Sequence, residues 1–193
     1  MNVMPEAPPA VKQPVNHLNL TKDDYKWLAY GTSGEAVADT DDVYGVAASI
    51  LWRRDSPKFP NTIKEIVLQR NPNGGHEYQH IDLGKARHMP GRALEFASEQ
   101  GQYKLAKTFK ELEGRTNFKG QSELANRGTT NGKQDPMFHP SGNFFHHWWQ
   151  EKGAVKPKNW QTPSGDSLLS PDLLRIKKAI TSPTGLRDLY INK

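Results

Sequence analysis

Three groups of residues in this sequence have types and spacing suited to chemistry. The first is His76-Glu77-Tyr78-Gln79-His80, a match to H-E-x-x-H. On a helix, two histidines one turn apart chelate Zn²⁺ while the glutamate between them activates a metal-bound water. Pro72, Gly74 and Gly75 lie just before the string and Gly84 follows it closely, so little room is left for such a helix. A third ligand would have to come from Glu95, Glu99 or His88. The alternative is a polar surface or cleft loop. The second group is Phe144-Phe145-His146-His147-Trp148-Trp149, whose aromatic density suits stacking on sugars or bases. It equally suits a buried aromatic strand, and both hold if residues alternate in and out. The third is Glu35, in Gly34-Glu35-Ala36 between two helical segments. Set among Ala and Val, a glutamate can be desolvated, kept protonated and used as a general acid; the alternative is a solvated surface charge.

The elements that must position these groups are mostly helices. Thr21-Lys-Asp-Asp24 has the spacing of a capping box, and Tyr25, Leu28 and Ala29 continue on one face toward Gly31–Gly34. Thr40-Asp41-Asp42 opens a second helix, with Val43, Val46, Ala47, Ile50, Leu51 and Arg54 at the strongest helical period of the chain. Asp39, Asp41 and Asp42 read as loop and cap residues. Thr62 and Glu65 start a third helix over Ile63, Ile66 and Val67, which Asn71-Pro-Asn-Gly-Gly75 stops. Pro90 opens a further segment that either kinks or divides near Gly101, with Leu105, Phe109 and Leu112 beyond. Residues 114–142 read as a long loop, and Ser170-Pro171 caps a last helix with Leu173, Ile176 and Ile180.

Composition excludes several classes of function. The 193 residues contain no cysteine, which removes disulfides, Cys-bound zinc and thiol catalysis. Mean hydropathy is −0.80, and the densest apolar run, Val43 to Trp52, is far short of a membrane span. Residues 1–20 hold four prolines, one lysine and no apolar block, unlike a secretory signal. Net charge is +5 and unevenly spread: residues 1–99 carry 11 basic and 13 acidic groups, and the remainder 15 and 8. The second half should favour polyanionic surfaces, although no zinc-finger spacing, ribonucleoprotein motif or basic helix points to specific nucleic-acid binding.

Gly34-Glu35-Ala36, Tyr44-Gly-Val-Ala-Ala-Ser-Ile-Leu51, Arg53 and Ser56-Pro-Lys-Phe-Pro-Asn-Thr-Ile63, continued by Ile66-Val67-Leu68-Gln69, together resemble the SleB-type cell-wall hydrolases, the spore-cortex-lytic family. The family shows a glutamate in an (A/G)-E-A setting, a V-A-A-V-I-L-N-R helix and a P-x-F-P-x-T-I segment. A looser likeness covers Gly142-Asn-Phe-Phe-His146 and Trp160. Trp52 stands where the family has Asn, the family's C-terminal ending is not recognisable, and residues 115–140 do not align.

The resemblance implies an α+β, mostly α-helical fold, lysozyme-like or lytic-transglycosylase-like, compact, with long loops and extended termini. Residues 1–20 are expected to form an extended Pro-rich arm, 21–160 the hydrolase domain, and 161–193 a basic tail with one short helix. It implies cleavage of the MurNAc–GlcNAc bond of peptidoglycan with Glu35 as catalytic acid and no cofactor or metal. Ser33, Gln69, Tyr78, Phe145 and His146 are expected to line the cleft, with Tyr78 and Phe145 stacking on sugar faces. A wall enzyme without a secretory signal is expected to be a bacteriophage endolysin or a virion-borne lysin, with other virion or tail proteins as partners. Its rivals are a zinc metallopeptidase using His76 and His80, and a virion structural protein on a degenerate hydrolase fold.

Overall fold

The computed structural model describes residues 18–120, 142–151 and 153–161, together with the backbone of 135–136. The first helix, α1 (Lys22–Thr32), starts where the Thr21…Asp24 spacing predicts. Asp24 N–H donates to Thr21 Oγ1 at 3.1 Å and Thr21 N–H donates to the Asp24 carboxylate at 2.8 Å, so two otherwise orphaned donors are satisfied reciprocally. The next, α2 (Asp42–Arg54), is buried at every position from Asp42 to Arg53. Its apolar stripe is the predicted one, but the other faces are covered as well, because α1, α3, α6 and the sheet all pack on it.

Short α3 (Ile63–Val67) is capped by Thr62, whose Oγ1 accepts from Glu65 N–H at 3.2 Å, and it buries Ile63, Ile66 and Val67. A side chain at Gly31 would place its Cβ 2.8 Å from Val67 Cγ2 and 3.0 Å from Ile50 Cδ1, so α1 can sit this close to both neighbours only with glycine there. A single-turn α4 (Gln79–Asp82) follows. The Pro90 segment divides into α5 (Pro90–Ala97) and α6 (Glu99–Leu112) rather than kinking. Ser98 makes the break: it is extended, and its hydroxyl accepts from Gly101 N–H at 3.1 Å as the N-cap of α6.

Three short strands complete the described fold: β1 (Asn117–Gly120), β2 (Asp135–Pro136) and β3 (Asn143–His146). They form an antiparallel sheet in the order β1-β3-β2, with Asn117 opposite His146 and Phe118 opposite Phe145. One turn of 3₁₀ helix, Trp148–Gln150, follows β3. The fold is therefore a mixed one, mostly helical with a small sheet. The predicted loop over 114–142 contains β1 and β2, because Asn-Phe-Lys-Gly becomes a strand through its pairing with β3 rather than through its own propensity.

Trp52, at the position of the family's Asn, is buried and stacks on Phe109 of α6, with ring centroids 3.9 Å apart and its indole N–H donating to Phe109 O at 2.7 Å. Arg53 beside it is also buried; its Nε–H donates to Thr116 O at 2.7 Å, and its guanidinium lies over the Phe59 and Tyr78 rings at 5.1 and 5.4 Å. No helix among the described residues is long and apolar enough to cross a membrane. Most of the predicted N-terminal arm and the predicted last helix lie outside the described residues.

Candidate active site

At its C-terminal end α1 tightens, with Ser33 N–H donating to Tyr30 O at 3.2 Å and Ser33 Oγ to the same oxygen at 2.8 Å. Glu35 and Ala36 then donate their N–H groups to Thr32 O at 3.4 and 3.3 Å, which carries Glu35 just past the helix end. From there the chain crosses to α2. Asp42, its first residue, is fully buried, and three N–H groups converge on its carboxylate: Val37 N–H at 2.9 Å, Asn143 N–H at 3.0 Å and the Asn143 side-chain amide at 3.0 Å. The same Asn143 amide donates to Glu35 O at 2.6 Å. The N-terminus of α2 adds the favourable end of its dipole to a carboxylate held there. Asp42, read from the sequence as a cap residue, is therefore the latch that joins the Glu35 loop to the first residue of β3.

The Glu35 side chain meets His80 of α4. Oε1 lies 2.8 Å from His80 Nδ1, and His80 Nε2 faces Tyr30 O at 3.3 Å. The Glu35 side chain keeps 21% of its surface while that of His80 keeps 3%, so the pair has an open end and a closed end. Gly34 makes the approach possible: a Cβ there would lie 2.6 Å from His80 Cγ and 3.0 Å from Cδ2. The His80 ring is further confined by Tyr78, edge-on at 6.2 Å, and by Tyr30 at 6.5 Å.

The arrangement does not assemble the H-E-x-x-H zinc site. Helix α4 begins at Gln79, so His76 and Glu77 precede it, and Glu77 N–H donates to Gln69 O at 2.9 Å in an extended stretch. His76 Nδ1 is 2.6 Å from Asp82 Oδ1, whereas His80 faces Glu35, so the two rings are directed at different carboxylates. Hydrogen bonds from the His76 ring and backbone hold the Asp82 carboxyl below its ordinary range. Among the described residues, no group of three or more His, Asp or Glu side chains could hold a metal.

The other expected cleft residues occupy different places. Ser33 Oγ caps α1 and accepts from Arg87 N–H at 3.2 Å, which ties the loop before α5 to the Glu35 turn. Gln69 is half-buried, with its side-chain oxygen sealed from solvent. The stacking roles of Tyr78 and Phe145 are corrected. Tyr78 is 1% exposed and Phe145 fully buried, and both pack with Phe118 under the helices, so neither offers a ring face to a sugar. Burial pushes the Tyr78 hydroxyl up to about 12. His146, also 1% exposed, is turned inward to Glu151 at 2.6 Å and is corrected likewise. Aromatic surface beside the pair comes instead from half-buried Tyr30 and exposed His88, whose rings are 5.3 Å apart.

Sequence reasoning singled out Glu35 as a candidate acid but not the residues that the structure places against it. His80 was legible as a candidate metal ligand or a cleft-loop residue, and Asn143 as part of the Gly142–His146 segment, but neither as a partner of Glu35. Separations of 45 residues for Glu35–His80 and 108 for Glu35–Asn143 leave no local signal. A hollow of about 740 Å³, lined by Arg54 to Pro57, Phe59 to Asn61 and Glu65, does not include Glu35 and has no acid–histidine pair of its own. No family model matches the chain, and neither does any curated protein or solved structure.

Proposed function

We propose that this protein is a peptidoglycan glycosidase of the lytic-transglycosylase type, with a lysozyme-like fold and Glu35 as its acid. One observation carries the reading: a partly exposed glutamate side chain stands at the end of α1 with its backbone tethered by Asn143 and one carboxyl oxygen engaged by a buried histidine. Such a group is held rigidly and still reaches solvent, as a proton donor to a bound polymer must. The resemblance of residues 34–69 to cell-wall hydrolases supplies the substrate class.

In this mechanism Glu35 protonates the oxygen between MurNAc and GlcNAc as that bond breaks through an oxocarbenium-like transition state. The resulting carboxylate takes the proton of the muramoyl 6-hydroxyl, whose oxygen closes a 1,6-anhydro ring on C1. The proton lost in the first step is regained in the second, so no second carboxylate nucleophile is needed. Tyr30, near the His80 ring, and His88 against Tyr30 provide the aromatic surface on which a sugar ring can rest. The proposed setting is a bacteriophage lysin, either released at lysis or carried in the virion beside tail proteins.

Mass spectrometry of the muropeptides released from purified peptidoglycan tests the reading, with Glu35→Gln alongside. Anhydromuramoyl products that fall by about 10²- to 10⁴-fold in the variant are expected, the range that a general acid contributes. Reducing-end products would make the enzyme a hydrolase with a water-activating partner. Intact glycan strands would end the glycosidase reading, and activity lost on chelation would favour a metallopeptidase.

A further inference from the structure

We infer that His80 is the positioning residue of Glu35: its Nδ1–H donates to Oε1 and so presents Oε2 as the oxygen that exchanges protons with substrate. This rests on the glycosidase reading for the identity of the substrate. The geometry itself does not depend on it.

Three features point the same way. The Nδ1–Oε1 separation of 2.8 Å lies in the range of a charge-assisted N–H···O bond. The ring is 3% exposed and lies between two oxygens, with Nδ1 on Glu35 and Nε2 on the Tyr30 carbonyl, which can only accept; with a proton on each nitrogen the ring donates to both, and so enclosed it cannot itself reach a bound glycan. No described residue hydrogen-bonds Oε2, and the Glu35 side chain keeps the larger exposure of the two. One oxygen is thus committed inward and the other is left for chemistry.

A donor at Nδ1 also suits both states the reaction needs. When Glu35 is the acid, its proton sits on Oε2 and Oε1 still accepts from His80. When Glu35 is the carboxylate, the same bond persists unchanged. The proton moves from Oε2 to the leaving oxygen and returns to Oε2 from the 6-hydroxyl, and nothing on the inner side has to rearrange. Groups facing the pair from the surrounding elements are Tyr30 on α1, Tyr78 ahead of α4, and the Asp42–Asn143 latch between α2 and β3.

The test combines kinetics with spectroscopy on the full chain. His80→Phe keeps a ring on Gly34 but can donate nothing; kcat on purified peptidoglycan should fall about 100-fold with KM nearly unchanged, since misplacing a reacting group by about 1 Å costs that much. His80→Asn, which restores an N–H near the Nδ1 position, should recover at least about tenfold of that loss. Gly34→Ala leaves both polar groups in place yet displaces the ring, and should also lower kcat. Wild-type kcat in His80→Phe, or a loss confined to KM, would overturn the inference.

The independent arm is ¹⁵N-histidine NMR of wild-type protein, with the His80 signals assigned by their loss in His80→Asn. A hydrogen bonded to Nδ1, whose signal shifts in Glu35→Gln, is expected; a lone-pair nitrogen at Nδ1 overturns the proposal. Should wild-type protein leave peptidoglycan intact, the glycosidase reading falls while the NMR result still decides the hydrogen bond.

Discussion

Asp42 shows how a single buried carboxylate can fix the path of a loop whose side chain it does not touch. Its carboxylate is stabilised by three N–H donors and the α2 N-terminus. Such a site tolerates an acceptor only. Asp42→Asn would turn an amide NH₂ toward those donors, leaving at least one buried N–H unsatisfied. The expected cost is about 3 kcal/mol, because hydrogen bonds to charged groups are the strong ones and a buried donor without a partner adds its desolvation. Urea unfolding checks this. The same variant should reduce turnover beyond its effect on folded fraction, since Val37 and Asn143 set the path of the Glu35 loop.

Among the elements, the contact of α2 with α6 and the attachment of the segment after β3 make separate predictions. Trp52→Asn, which installs the residue found in the cell-wall hydrolases that residues 34–69 resemble, removes the stack on Phe109 and a buried N–H···O bond. The expected result is a loss of about 3–5 kcal/mol in thermal or urea unfolding, as for other buried tryptophan truncations, with no gain in activity. A gain in kcat would mean that this position acts on substrate.

Glu151, after the 3₁₀ turn, is bound by His146 of β3 and by Asn117 and Lys119 of β1, at 2.6, 3.2 and 2.9 Å. Burial alone would raise its carboxyl, but the bonds from His146, Lys119 and Asn117 outweigh it and hold the group at about 2 against an ordinary 4.5. A folded value below the unfolded one stabilises the protein fully above pH 4.5 and is lost as pH falls toward about 2. About 2–3 kcal/mol should disappear across that window. Melting curves of wild type and Glu151→Gln should therefore converge in acid and separate near neutrality.

Across the whole molecule, the uneven charge should govern approach to an anionic polymer, the wall under the proposed function. Residues 100–193 carry 15 basic and 8 acidic groups, an excess suited to an anionic polymer. Screening shortens from about 10 Å at 0.1 M salt to about 3 Å at 1 M, so co-sedimentation with purified sacculi should weaken several-fold over that range. Binding indifferent to salt would assign the affinity to short-range contacts instead.

How much could be read in advance follows from the range of each interaction. Caps and periodicities join residues three or four apart, so Thr21–Asp24, the stripe of α2 and the Thr62 cap were legible as sequence. So was Glu35 as a candidate acid, through its local Gly34-Glu35-Ala36 setting and the motifs that follow it. Tertiary structure alone decided that Tyr78 and Phe145 face inward, because alternation along β3 permits either face for Phe145, and Tyr78, just ahead of α4 and outside any strand, has no local pattern to direct it. It alone separated His76 from His80, by starting α4 at Gln79. And it alone brought His80, Asn143 and Asp42 to Glu35, since hydrogen bonds reach about 3 Å in space whatever the length of chain between their partners.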